Sequence, residues 1–118
     1  MQPLVPLEIA EFVDPSGASP FRHWFDNLDA VVAARVTTAL ARLALGNWTH
    51  VKSVGDGVQE LRLDFGPGYR IYFGIHGQRV GILLGGGTKR RQQADIERAR
   101  RTWQQVRRRD DPGGMKWH

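Results

Sequence analysis

The sequence predicts an α+β domain in which an antiparallel sheet of four to five strands packs on an N-terminal helical hairpin and is followed by a basic C-terminal helix. Three observations carry this. Apolar and polar residues alternate through residues 58–65 and again through 69–76, the period of a strand. Apolar residues recur at helical spacing in two adjoining segments near the N-terminus and in one near the C-terminus,. The excess positive charge falls almost entirely in that last segment: residues 1–87 carry seven basic and eight acidic side chains, whereas residues 88–109 carry nine Lys or Arg against Asp95 and Glu97.

Residues 4–13 read as a first strand, with Leu7, Ile9 and Glu11 on one face and Glu8, Ala10 and Phe12 on the other; Pro3 and Pro6 favour an edge position or a late start. Asp14-Pro15-Ser16-Gly17 is a turn cluster. Ser19-Pro20 supplies an N-cap and a proline at the first helical position, and Phe21, Trp24, Phe25 and Leu28 then follow at i, i+3, i+4 and i+7. Asp29 caps a longer helix in which Val32, Val36, Leu40, Leu43 and Ala44 line one side while Arg35, Thr38 and Arg42 point away. Gly46-Asn47 ends it. The apolar stripe of this hairpin needs a cover, and the apolar sheet face provides one, giving a one-layer sheet capped by helices.

Val51-Lys52-Ser53-Val54 fits a short strand before the turn Gly55-Asp56-Gly57. In the next strand Gln59, Leu61, Leu63 and Phe65 oppose Val58, Glu60, Arg62 and Asp64. Gly66-Pro67-Gly68 forms a tight connection to a strand in which Tyr69, Ile71, Phe73 and Ile75 oppose Arg70, Tyr72, Gly74 and His76. Residues 80–84 are almost continuously apolar, as in a strand buried on both faces, and Gly85-Gly86-Gly87 is read as its stop and as a hinge that frees Lys89. The last helix starts between Thr88 and Gln92 and runs to about Arg109, with Ile96, Ala99, Trp103 and Val106 as its apolar stripe. Residues 110–118 lack periodicity and are expected to be a disordered tail to a single domain of residues 1–109.

With 41% apolar and 25% charged residues, the composition is that of a globular domain. No apolar run is long enough to span a bilayer and no signal peptide is evident, so a cytoplasmic protein is expected. The absence of cysteine excludes disulfides, thiolate metal sites and cysteine nucleophiles. The histidines at 23, 50, 76 and 118 lack metal-ligand spacing, and Gly85-Gly86-Gly87-Thr88-Lys89 lacks the spacing of a phosphate-binding loop; neither metal nor cofactor is expected. A basic helix suits a polyanion such as RNA, an acidic protein partner, or simply solvent.

The order of elements, together with Gly46-Asn47, Lys52, Gly55-Asp56-Gly57-Val58, Glu60-Leu61-Arg62, Gly66-Pro67-Gly68-Tyr69-Arg70-Ile71-Tyr72-Phe73, Leu83-Leu84, Gly86, Lys89, Gln92, Asp95-Ile96 and Ala99, resembles the RelE/ParE toxin superfamily, and within it the HigB-like branch of addiction-module killer proteins. The resemblance implies a RelE-like fold and a ribosome-dependent endoribonuclease that cuts mRNA and is silenced by a co-encoded antitoxin, here expected to be of helix-turn-helix type. It places Arg62, Arg70 and Lys89 in the site with Glu60 beside them. Some members use a tyrosine or histidine in the final helix or near the C-terminus; after Lys89 this sequence has neither before His118, so the general acid is left open.

Metal-free RNA cleavage needs a proton acceptor for the 2′-hydroxyl, positive charge for the phosphorane and an acid for the leaving 5′-oxygen. Arg62 and Arg70 suit a phosphate clamp, with Lys89 reaching the same point. Glu60 is either the base or the group that orients the arginines. Lys52, Tyr72, Arg90, Arg91 and Arg98 are candidates for RNA contact, Tyr72 by stacking on a base, and Arg100 and Arg101 extend that basic surface. His50 and His76 are weaker candidates for proton transfer. Two rival functions share these features: a ParE-like inhibitor of DNA gyrase, and a non-catalytic RNA- or DNA-binding module.

Overall fold

The computed structural model describes residues 6–109 and 115–117. Its elements are β1 (Glu8–Phe12), α1 (Pro20–Asp26), α2 (Ala30–Ala44), β2 (Val51–Gly55), β3 (Val58–Leu63), β4 (Tyr69–His76), β5 (Val80–Thr88), a 3-10 turn (Lys89–Arg91), α3 (Gln92–Arg109) and β6 (Met115–Trp117). The local chemistry explains the helix starts. Ser19 Oγ accepts from the Arg22 amide at 3.0 Å with Pro20 opening α1, and Asp29 Oδ1 accepts from the Val32 amide at 3.0 Å to open α2, each satisfying a donor that the helix leaves orphaned.

The α+β class and the antiparallel meander from β2 to β5 agree with the sequence reading. The sheet is wider, in the order β2-β3-β4-β5-β1-β6. β1 lies inside it, parallel to β5 with Glu8 opposite Val80, and β6 pairs antiparallel with β1. Of the two readings that Pro3 and Pro6 allowed for the first strand, the late start at Glu8 holds and the edge position does not. The tail is corrected in part as well, because residues 115–117 form a strand where disorder was expected; residues 110–114 and His118 lie outside the described residues.

The larger correction concerns layers. One core joins Val32, Val36, Leu40 and Leu43 of α2 and Phe21 of α1 to Leu61, Leu63, Ile71, Phe73 and Leu83. A second joins Ile96, Ala99 and Trp103 of α3 to Ala10, Phe12, Val58, Tyr72, Val80, Ile82 and Leu84. The sheet is thus covered on both faces, and the face expected to be open and basic lies under α3. Alternation along β3 and β4 marks two distinct faces, yet it cannot say that the more polar one is covered; the narrow stripe of α3 needed a sheet face of its own.

The glycine run does not stop β5, which continues through Thr88. Its role is close approach rather than hinge motion. A Cβ on Gly86 would collide with the Trp24 ring of α1, and one on Gly87 with the Asp95 carboxylate of α3. In β4 a Cβ on Gly74 would likewise fall 2.6 Å from the Trp103 ring. Each glycine lets a side chain from a covering helix rest on the strand backbone.

Candidate functional site

The pairing register assembles the site. Across the α3 face, Lys52 of β2 stands opposite Glu60 of β3, Glu60 opposite Tyr72 of β4, Arg62 opposite Arg70, and Arg70 opposite Gly87 of β5. The turn after β3 brings the chain back in this register, with Gly66 and Gly68 both at positive φ, which a residue with a Cβ resists.

Glu60 is 1% exposed and lies at the centre. Gln92 Nε2 donates to its Oε2 at 2.9 Å, while Lys52 Nζ and Arg70 Nε each lie 3.7 Å from its Oε1. Arg70, itself 7% exposed, donates from Nη1 to the carbonyl of Gly68 at 2.6 Å. A buried carboxylate thus balances the charge of a buried guanidinium across 3.7 Å, with Arg70 Nε left without a hydrogen-bond partner among the described residues, while Nη1 pins the guanidinium to the turn,. Both carboxylate oxygens already face Gln92 or cations, an arrangement that orients Arg70.

The other proposed residues are less tightly gathered. Arg62 projects from the same face but is half exposed, and its Nε pairs with Asp64 Oδ1 at 2.8 Å rather than with Glu60. Lys89 is exposed in the 3-10 turn, with its Cβ 3.5 Å from where a Cβ on Gly68 would stand. It therefore flanks the turn that holds Arg70, placed there by the 3-10 turn and not by a glycine hinge. Lys52 is exposed except for its approach to Glu60.

Two assignments are corrected. Tyr72 is 1% exposed beneath α3, so its ring offers no open face to a base. Its hydroxyl is buried without a hydrogen-bond partner among the described residues; burial, reinforced by the negative charge of Glu60, raises its pKa far above that of an ordinary tyrosine and keeps it protonated,. Arg100 is not a free cation either, since its guanidinium donates to the Val54 carbonyl of β2, from Nε at 2.9 Å and also from Nη2. It ties α3 to the sheet edge.

Arg90, Arg91, Arg98 and Arg101 remain exposed. Arg98 Nη1 lies 3.9 Å from Asp95 Oδ1. Burial raises the Asp95 pKa, opposed by the charges of Arg98 and Arg91. His50 sits 4.0 Å from Asp64, and His76 is exposed at the far end of β4; neither joins the Glu60 cluster. No helix among the described residues is long and apolar enough to cross a membrane.

Sequence reasoning gave no role to the contact between Gln92 and Glu60, yet a signal existed. The stripe Ile96, Ala99 and Trp103 extended back by one turn reaches position 92, which points this amide at the sheet. A second ion pair was also missed: Glu11, fully buried, is 2.5 Å from Arg22 of α1. The alternation placed Glu11 correctly on the face of Leu7 and Ile9 but gave no hint of its partner.

No solved structure matches this chain significantly. An uncharacterized protein of Haemophilus influenzae is 41% identical to it over 81 residues, which cover 68% of this chain and 82% of that protein. A family profile described as phage derived protein Gp49-like (DUF891) matches residues 23–104, a span that runs from α1 through most of α3 and takes in every member of the Glu60 cluster. The chain belongs to the Gp49-like family of phage-derived proteins.

Proposed function

We propose that this protein is the toxin of a type II toxin–antitoxin pair, a HigB/RelE-like endoribonuclease that cuts mRNA on the ribosome by metal-independent attack of a 2′-hydroxyl on the adjacent phosphate. One observation carries the reading: Arg70 is buried, anchored by its hydrogen bond to the Gly68 carbonyl and charge-paired with Glu60 at 3.7 Å, at a rim where Lys52, Arg62 and Lys89 stay exposed. An anchored guanidinium beside exposed cations is suited to a phosphate that gains charge in the transition state, because a positioned donor needs little reorganisation as that charge develops. Glu60 acts in this scheme as the orienter of Arg70 rather than as the base. The exposed Arg90 and Arg91 of the 3-10 turn and Arg98 of α3 would contact RNA around the cut, and a helix-turn-helix antitoxin with an acidic segment would silence the protein by covering the same cations.

The test is to add purified protein to translating ribosomes and map mRNA 5′ ends. New ends should appear in the coding region. Arg70→Ala should lower the cleavage rate by about two to three orders of magnitude, as loss of one positioned transition-state donor does, and the exposed Arg62→Ala by about tenfold. Intact mRNA beside stalled DNA gyrase complexes would reject the nuclease in favour of a gyrase inhibitor.

A further inference from the structure

A cleft of about 450 Å³ separates α2 from the outer edge of β3. It exists because pairing on this edge ends where the Arg62 amide donates to the His50 carbonyl, just past Val51 opposite Leu61, so the chain from Leu63 to Phe65 has no strand on its outer side. Its walls carry Arg35 and Arg42 from α2, Arg62 from β3, and His50, against the single carboxylate of Asp64. The Arg35 guanidinium sits 4.5 Å from the centroid of the Phe65 ring, which in turn packs at 5.2 Å on Tyr69. Arg35, Thr38 and Arg42 fall at i, i+3 and i+7 on one stripe of α2, so the two arginines stand on the order of 10 Å apart along the helix. Arg62, which lines the cleft, stands opposite Arg70 in the register, so the cleft adjoins the strand position that carries the proposed phosphate site.

We infer that this cleft is a second subsite for single-stranded RNA, in which Arg35 and Arg42 hold backbone phosphates and the Arg35–Phe65 pair receives a base. The inference rests on the nuclease reading for its choice of polyanion and extends the RNA path beyond the residues of β3, β4 and α3. Cations that track a backbone beside an aromatic stacking surface are the combination that single strands require. An acidic peptide would use the arginines but has no use for the ring, and that difference makes the two separable.

The experiment measures binding of a fluorescein-labelled eight-nucleotide oligoadenylate to the full chain by anisotropy over a range of salt. Arg35→Glu and Arg42→Glu should each weaken binding about tenfold, and the slope of log affinity against log salt should fall by about 0.7 for each phosphate that is no longer neutralised. Phe65→Leu, with its fold verified by circular dichroism, should weaken binding about fivefold or more and leave the salt slope unchanged. Arg79→Glu, in the turn at the opposite end of β4, controls for net charge and should change affinity less than about twofold at physiological salt. If Arg35→Glu and Arg42→Glu behave like Arg79→Glu, the subsite is overturned. It is equally overturned if poly-L-glutamate competes as well as unlabelled oligoadenylate while Phe65→Leu binds normally, which would assign the cleft to an acidic protein. The two readings fail separately: binding through the cleft without mRNA cleavage rejects the nuclease and keeps the subsite, whereas cleavage by a protein whose cleft variants bind normally does the reverse.

Discussion

The two faces of the sheet solve different problems. Beneath α2 the contacts are almost purely apolar, with Leu61, Leu63, Ile71 and Phe73 meeting Val32, Val36, Leu40 and Leu43. Beneath α3 an apolar patch around Trp103 gives way to Glu60, Arg70 and Tyr72, all buried. Burying charge is costly even when it is paired, and the faces differ in how much of a pair they bury: on the α1–α2 face the buried Glu11 meets a part-exposed Arg22, whereas Glu60 and Arg70 are both buried. The first face is the larger apolar seal, and the second buries both partners of an ion pair.

The sharpest way to break this contrast is to remove one charge. Glu60→Ala should destabilise by about 3–5 kcal/mol, because it leaves Arg70 buried without its carboxylate, against about 2–4 kcal/mol for Leu63→Ala on the other face. Urea titration measures both. The double replacement Glu60→Leu with Arg70→Met should restore most of the stability lost by the single change while abolishing mRNA cleavage. A double variant as unstable as Glu60→Ala would show that the ion pair belongs to the scaffold.

A second comparison tests how each helix is seated. Gly86→Ala drives a methyl group into Trp24 on the α1 side, and Gly74→Ala drives one into Trp103 on the α3 side; each should cost about 1–3 kcal/mol by overpacking. Gly85→Ala meets nothing within 4 Å and should stay within about 1 kcal/mol of the wild type. Thermal unfolding of the three variants orders them, and a Gly85→Ala as damaging as its neighbours would refute the packing account.

The smallest effect concerns pH and only the α3 face. Burial raises the Asp95 pKa in the folded chain, so the native state binds more protons than the unfolded one from the ordinary carboxylate range up to that raised value. Stability therefore falls as pH rises through this window and stays reduced above it. Asp95→Asn should remove that slope and gain no more than about 1 kcal/mol at neutral pH, read as the difference between urea midpoints at acid and neutral pH.

Most of the fold was legible because it rests on local signals: the Ser19 and Asp29 caps, the period-two alternation of β3 and β4, and the spacing of α2 and α3. What could not be read was placement. Nothing local to residues 8–12 says that they pair in parallel with β5, because a parallel partner is set by the connections between strands and not by the strand's own pattern. The burial of Tyr72 and the commitment of Arg100 to Val54 were hidden for the same reason, since both depend on which side of the sheet receives α3. Within the site, the shared face of Glu60, Arg62 and Arg70 followed from alternation alone, whereas the diversion of Arg62 to Asp64 depended on side-chain reach that no pattern encodes.

The parallel seat of β1 has a consequence for the order of events during synthesis. The strand made first must wait for Val80 and its neighbours before either edge finds a partner, and its other edge is met only by residues 115–117. Such long-range closure slows folding. A chain released early, without β5, keeps Ala10 and Phe12 on an unpaired strand that invites aggregation. The sheet therefore joins β1 to β5 late and is finished only when β6 covers β1 at the edge, so a partly made copy lacks the complete sheet that carries Arg70.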